Sequence, residues 1–271
     1  MENLMAEIQA RRYLNHLQNI MDHGTKIYPR GMEVREIADL QLRIDPRYPF
    51  MTFKERKYDL NYFKKEILWK LSANPYDKSI MEHAKMWGNV INPDGTFNSN
   101  YGVYWFGPQG GIWSVVTELV RDRDSRRAII PMLSPKHTEP WVVDTVCTEV
   151  IGFRIRCDNL QCSVHMRSSD SIFGLGTDIG TFTFLLHLVR ALIPEYLFPG
   201  ELIVTAMSSH IYSRHYDMVS KMLDGGVEEF DPVIMPECGS YDEAMYIVAK
   251  RGKMADVPDS FKLAKWLIGD E

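Results

Sequence analysis

The chain has 271 residues, 45% of them hydrophobic and 25% charged, which are the values of an ordinary globular protein long enough for a sizeable core. Its net charge of −5 and pI near 5.9 exclude a broad nucleic-acid or anionic-membrane surface, so any phosphate binding must come from a local arginine cluster. No apolar run approaches the roughly 18 residues of a membrane span, the start Met1-Glu2-Asn3-Leu4 lacks a signal-peptide pattern, and four cysteines do not suggest a disulfide framework, which points to a reducing, cytoplasmic setting.

Leu4, Ile8, Leu14, Leu17 and Met21 recur at helical spacing, and Gly24 supplies a stop, which predicts a first helix over 4–21. Met32 to Ile44 reads as extended, ending in the alternation Leu40, Leu42, Ile44, before Pro46 and Pro49 break the chain. A second helix is predicted over 61–71, with Phe63, Ile67, Leu68 and Leu71 on its core face. A short helix near 81–87 interrupts a loop-like stretch from Asn74 to Asn100. Ile112, Trp113, Val116, Leu119 and Val120 mark a third helix, and a strand follows from Ala128 to Leu133.

The stretch from Cys147 to Arg167 carries the clearest β signal. Leu160, Cys162, Val164 and Met166 fall on one face, Gln161, Ser163, His165 and Arg167 on the other, with the turn at Asp158-Asn159. That period leaves Arg167 on the polar face, available to a ligand. It also sends Cys162 and His165 to opposite sides, which argues against a zinc site made with Cys157. Ile179 to Ile193 reads as a long buried helix, Glu201 to Met207 as a strand with room to continue to Tyr212, and Ser213 to Leu223 as a helix ending at Gly225-Gly226. Beyond that the chain is less patterned. No repeat, low-complexity tract or linker interrupts it, so 1–271 reads as a single domain.

Cys147 stands in the run Asp144-Thr145-Val146-Cys147-Thr148, and Arg167-Ser168-Ser169-Asp170 follows about twenty residues on. A guanidinium favours the thiolate, which is the nucleophilic form, and can also grip a phosphate by paired charge-assisted hydrogen bonds. A lone intracellular cysteine is more often a buried small hydrophobe; the surrounding residues are what turn the reading towards covalent chemistry on a phosphorylated substrate. The glycine-rich run from Gly174 to Gly180 has spacing one residue too long for a dinucleotide fingerprint and does not directly follow a strand.

Six stretches stand in the order and at the spacings of the thymidylate synthase superfamily: Asn98-Ser99-Asn100-Tyr101-Gly102, Asp124-Ser125-Arg126-Arg127, Cys147-Thr148, Met166-Arg167-Ser168-Ser169-Asp170, Phe173-Gly174 through Asp178, and Ser209-His210-Ile211-Tyr212-Ser213-Arg214-His215. The chain most resembles the deoxycytidylate hydroxymethylase branch known from bacteriophages, over about Met21 to Val219. The resemblance implies an α+β fold with a large twisted mixed β-sheet flanked by helices, and a homodimer with that sheet at its interface. It implies a pyrimidine nucleoside monophosphate substrate, 5,10-methylenetetrahydrofolate as one-carbon donor, and no metal.

Carried across, Cys147 resembles the nucleophile that adds to C6 of the pyrimidine. Arg30, Arg167 and Ser168 resemble phosphate ligands of one subunit, and Arg126 and Arg127 the pair donated by the other. Glu66 resembles the carboxylate that organises water and proton transfer near the base; by itself it reads as an ordinary exposed helix glutamate. Tyr101 resembles a tyrosine near the reacting centre, His210 and Tyr212 the pair on the sugar hydroxyl, Asp170 the carboxylate on the pterin, and Trp87 a tryptophan lining the folate site. The chain departs from the synthase pattern in carrying Thr148 rather than His after the nucleophile, and Arg30-Gly31-Met32-Glu33 rather than Arg-Thr-Gly-Thr.

Asp178 bears on the base. Thymidylate synthases carry Asn here, whose amide complements the N3–H and O4 of uracil. Cytosine instead offers an N4 amino donor and an N3 acceptor, and a carboxyl group accepts from the first and shares one proton with the second. The competing reading makes Asp178 the cap of a helix starting at Ile179. Rival functions are a 5-methyltransferase on dCMP, a relative acting on CMP, and a non-catalytic nucleotide-binding protein, which would need neither Cys147 nor Glu66.

Overall fold

The computed structural model describes residues 2–107 and 111–269. In chain order the elements are α1 (Glu2–His23), β1 (Thr25–Ile27), β2 (Val34–Ile44), α2 (Leu60–Leu71), α3 (Ile80–His83), α4 (Gly102–Trp105), α5 (Ile112–Arg121), β3 (Ile129–Pro131), β4 (Thr148–Arg156), β5 (Asn159–Met166), β6 (Ser169–Asp170), α6 (Gly174–Leu192), β7 (Phe198–Tyr212), α7 (Tyr216–Gly225), α8 (Tyr241–Lys250) and α9 (Lys262–Ile268). The strands form a mixed sheet in the order β1-β2-β7-β5-β4-β3, with β6 parallel beside β7. This is the α+β arrangement expected. Among the described residues no helix is long and apolar enough to cross a membrane.

The chain divides into two compact units. The first comprises Met1–Tyr58, Ser163–Thr183 and Gly200–Met235. Here α1 packs on β2 and buries Ala6, Ala10, Tyr13, Leu14, Leu17 and Ile20. Leu4, expected on that face, is 57% exposed, and Met21 is only half-buried. Small alanines and Tyr13, which donates to the Ser171 carbonyl at 2.6 Å, define the seam instead, so a count of large hydrophobics misplaces it. The Gly24 N–H closes on the Ile20 carbonyl at 2.9 Å, the expected stop.

β2 runs antiparallel to β7 from Val34 opposite Tyr212 to Ile44 opposite Leu202. On the other edge of β7, Ser169 pairs with Ser209 and Asp170 with His210. A buried polar triangle sits beside that pairing: the Ser171 and Ser209 hydroxyls are 2.8 Å apart, and His16 Nε2 lies 3.2 and 3.0 Å from them. Burial pushes His16 down to about 4, so it stays a neutral partner through the physiological range.

The second unit comprises Asp59–Cys162, Phe184–Pro199 and Pro236–Glu271. Asp59 caps α2 by accepting from the Tyr62 N–H at 2.9 Å. The helix buries Phe63, Ile67, Trp69 and Leu71 as its apolar face, and with them Glu66 and Lys70; Leu68 is only half-buried. The β4–β5 turn is Cys157-Asp158 rather than Asp158-Asn159, one residue earlier than expected. Both turn residues have positive φ, 48° and 59°, as a two-residue hairpin that follows the strand twist demands. The face assignment of β5 stands: Leu160, Cys162, Val164 and Met166 are buried and His165 is exposed.

α6 begins at Gly174, more than a turn before the expected Ile179. Leu175, Ile179 and Phe182 continue one buried row, and the glycines in the first turn, poor helix formers, hide its start. α8 and α9 lie in the stretch read as less patterned. Ser240 caps α8, accepting from the Glu243 N–H at 3.1 Å, and the fully buried Glu243 carboxylate accepts from Gly239 at 2.7 Å and Ala264 at 3.1 Å. The Ser-x-x-Glu spacing was a legible start signal.

Candidate active site

Of the four cysteines, Cys162 and Cys238 are buried and their thiols are pushed up by that burial, so they stay protonated and unreactive. Cys157 lies on the exposed hairpin turn, and Cys147 is half-buried at the residue before β4. Its loop is held from several sides within the second unit. The buried Asp144 carboxylate accepts from the Ser99 N–H at 2.7 Å and the Ser99 hydroxyl at 2.6 Å, and its carbonyl accepts from Asn98 at 2.8 Å. Asn92 Oδ1 accepts from the N–H groups of Val143 and Asp144 at 2.9 and 3.0 Å, and Thr145 donates to the His137 carbonyl at 3.1 Å. Buried polar groups tied this way hold a loop in one conformation.

The run Asn98-Ser99-Asn100-Tyr101-Gly102 is a bracket between that loop and α2. Asn98 and Ser99 hold the thiol segment, while Asn100 Nδ2 reaches the Trp69 and Asn74 carbonyls at 3.0 and 3.2 Å, at the end of α2. The Tyr101 hydroxyl accepts from Thr148, the residue after Cys147, at 3.1 Å, and both side chains are buried. The Lys70 ammonium lies 5.0 Å from the centre of the Tyr101 ring and 2.7 Å from Glu66 Oε1. Glu66 is therefore a buried, ion-paired carboxylate and not an exposed helix glutamate. Reading α2 as amphipathic missed Lys70, although its i,i+4 spacing from Glu66 was visible in the sequence.

Gly102 packs directly against the end of α2. A methyl group there would run into the Lys70 carbonyl oxygen and lie 2.9 Å from its carbonyl carbon. Backbone cannot swing aside as a side chain can. Gly102→Ala is therefore expected to cost about 1–3 kcal/mol, by overpacking, and to displace Tyr101 from Lys70. A denaturant midpoint unchanged from the wild type would contradict this packing.

In the first unit, Arg30 sits in the turn Pro29–Gly31 at φ 52° and ψ 31°, a left-handed conformation costly for a side-chain-bearing residue, with its side chain exposed. His210 stands opposite Glu36 on β2 and Asp170 on β6. Burial pushes its imidazole below the ordinary value; the Asp170 and Glu36 carboxylates oppose that, and Arg30 reinforces it. The His210 and Tyr212 ring centres are 5.1 Å apart and nearly perpendicular, so the expected pair does share one side of β7. The Arg214 guanidinium covers the Tyr212 ring at 4.2 Å. Asp170 Oδ1 accepts from the Ile172 N–H at 3.0 Å. This unit thus groups Arg30, Asp170, His210 and Tyr212, with Glu36 as a member that the sequence reading missed. Arg167 and Ser168 are half-buried between β5 and β6.

Asp178 lies inside α6, past its first turn, because the helix starts at Gly174. The helix-cap reading of this residue falls with the expected start at Ile179. Arg126 and Arg127 follow α5 with exposed side chains, Arg127 at 72%. Glu118 braces their turn, accepting from the Ser125 hydroxyl at 2.6 Å and Arg127 Nε at 3.1 Å; those bonds, Ser125's first, hold its carboxyl below the usual range. Trp87 packs on Trp69 and Phe97 at 5.0 and 6.1 Å between ring centres, and its N–H donates to the Tyr62 hydroxyl at 2.9 Å. Its half-exposed ring, and not its N–H, is what a ligand could meet. Among the described residues no group of three or more His, Cys, Asp or Glu could hold a metal ion.

The family model for thymidylate synthase matches residues 11–237, most of the chain. Members of that family move a one-carbon unit from methylenetetrahydrofolate to a pyrimidine nucleotide and act as dimers. The chain belongs to the thymidylate synthase family and is a folate-dependent one-carbon transferase.

Proposed function

We propose that the nucleotide is dCMP and that water completes the transfer, giving 5-hydroxymethyl-dCMP. The observation that carries this reading is Asp178: a carboxyl group where the synthases have an amide, at a helix position where capping does not account for it. A carboxyl group accepts from N4–H of cytosine, and one proton bridges it to N3. Facing uracil, the same carboxylate would meet O4, acceptor against acceptor, and an unmatched buried polar group is a strong basis for rejection.

In this reading the Cys147 thiolate adds to C6, and the electron pair displaced from the C5–C6 bond makes C5 the carbon that bonds to the one-carbon unit. Methylenetetrahydrofolate supplies that unit at the oxidation level of formaldehyde. Glu66, held as one half of a buried ion pair, orders water beside the base, and Tyr101 stands next to the thiol segment. Loss of the C5 proton and departure of tetrahydrofolate from the one-carbon unit leave an exocyclic methylene; water adds to it, the thiolate leaves C6, and no redox change is needed. Arg30, Arg167 and Ser168 take the phosphate, and His210 and Tyr212 take the sugar hydroxyl. Asp170, an acceptor-only carboxylate, suits the N–H donors of a pterin edge, and the Trp87 ring offers a stacking surface. The whole chain acts as one catalytic domain in a homodimer joined through its sheet, with Arg126 and Arg127 serving the partner's phosphate site.

The mass of the product from dCMP and methylenetetrahydrofolate tests the proposal. An added CH₂O is expected. An added CH₂ would mean that hydride rather than water completes the reaction, and turnover of dUMP in preference to dCMP would overturn the base assignment.

A further inference from the structure

We infer that Lys70 is a positioning residue for the one-carbon transfer: its ammonium fixes the direction of the Glu66 carboxyl group. The inference rests on the reading of Glu66 as the carboxylate that works at the base. Lys70 and Glu66 lie one turn apart on α2, 2.7 Å from each other, with side-chain exposures of 3% and 7%. Their neighbours on the helix, Phe63, Ile67, Trp69 and Leu71, are apolar and buried.

An ion pair in such surroundings is a poor way to stabilise a fold. Taking both charges from water offsets most of their attraction, and apolar residues of similar volume usually do as well or better. What the pair does supply is a defined direction: with the ammonium on Oε1, the Glu66 carboxyl group has a fixed orientation. The same ammonium faces the Tyr101 ring at 5.0 Å, and Tyr101 in turn bonds Thr148, next to Cys147. The cation that fixes Glu66 therefore also sits beside the ring that braces the thiol segment.

The other elements packed on α2 bring further titratable groups. These are Glu82 and His83 on α3, Tyr104 on α4, and Lys262 and Lys265 on α9. Glu82, His83 and Lys262 are exposed, Tyr104 is bonded to His137 at 3.1 Å, and Lys265 pairs with Asp259.

Lys70→Met tests the role in two ways. Its kcat should fall about 10- to 100-fold with little change in nucleotide KM, because the nucleotide still binds while Glu66 is no longer held in place. In a Glu66→Gln background the same substitution should change kcat by less than about threefold, because Lys70 acts through Glu66. Equal losses in both backgrounds would overturn the inference. Lys70→Gln gives the same comparison should Lys70→Met not fold.

Turnover is measured on whichever of dCMP, CMP or dUMP the wild type converts. A wrong base assignment is thereby kept apart from a wrong role for Lys70.

Discussion

Cys147→Ser is expected to abolish turnover, lowering kcat by about 10⁴-fold or more, while leaving the unfolding midpoint close to the wild type. The hydroxyl is a far weaker nucleophile than the thiolate, so addition to C6 stops. The change removes little packing, because the residue is half-buried and its loop is held by Asn92, Ser99 and Asp144 rather than by the thiol. Covalent trapping by 5-fluoro-dCMP, in which fluorine blocks departure of the C5 proton, should vanish with it. Cys162→Ser should do the reverse: its fully buried side chain faces the core, so stability falls and trapping remains. Full activity in Cys147→Ser would end the covalent mechanism. Mixed with Arg126→Ala subunits, Cys147→Ser subunits should regain partial activity, since one hybrid site then has both an intact thiol and an intact arginine. Mixed dimers with no activity would contradict sharing across the interface.

Asp178→Asn should move the ratio of kcat/KM for dCMP over dUMP by about a hundredfold or more towards dUMP. Each base presents donors and acceptors in the order opposite to the other, so the exchange mismatches one substrate as it matches the other. The sign of the pH effect follows from the shared proton. If Asp178 and N3 hold one proton between them, dCMP turnover falls as that proton is lost at high pH, and the Asn variant on dUMP lacks this limb. An unchanged ratio in the variant would leave Asp178 without a part in base choice.

How much of this could be read from the residues in order depends on the range of the forces involved. The β5 faces were legible because a strand's side chains alternate whatever it pairs with, and Leu160 to Met166 carried that period on their own. The hairpin turn was misplaced by one residue because Cys157 and Asp158 adopt positive φ under the twist of the two strands, which composition does not announce. The start of α6 was hidden by Gly174 and Gly176, whose low propensity was overridden by burial of Leu175. That difference changed the meaning of Asp178 from a cap to a residue inside a helix.

The site divides along the same line. Its candidate groups, Cys147, Glu66, Tyr101, Arg30, Arg167, Asp170, His210 and Tyr212, were visible as residue types at family spacings, and so was the membership now shown by the match over 11–237. The order of residues by itself determined the strand alternation, the place of Cys147 before a strand and the carboxyl group at 178. Only the tertiary structure decided which charges lost their water. Glu66 and Lys70 look like any exposed helical pair until Gly102 brings its backbone against the end of α2 and Tyr101 comes within reach of the ammonium. Burial is a property of what packs from elsewhere in the chain, and it turns a glutamate that reads as a surface residue into a buried, ion-paired one.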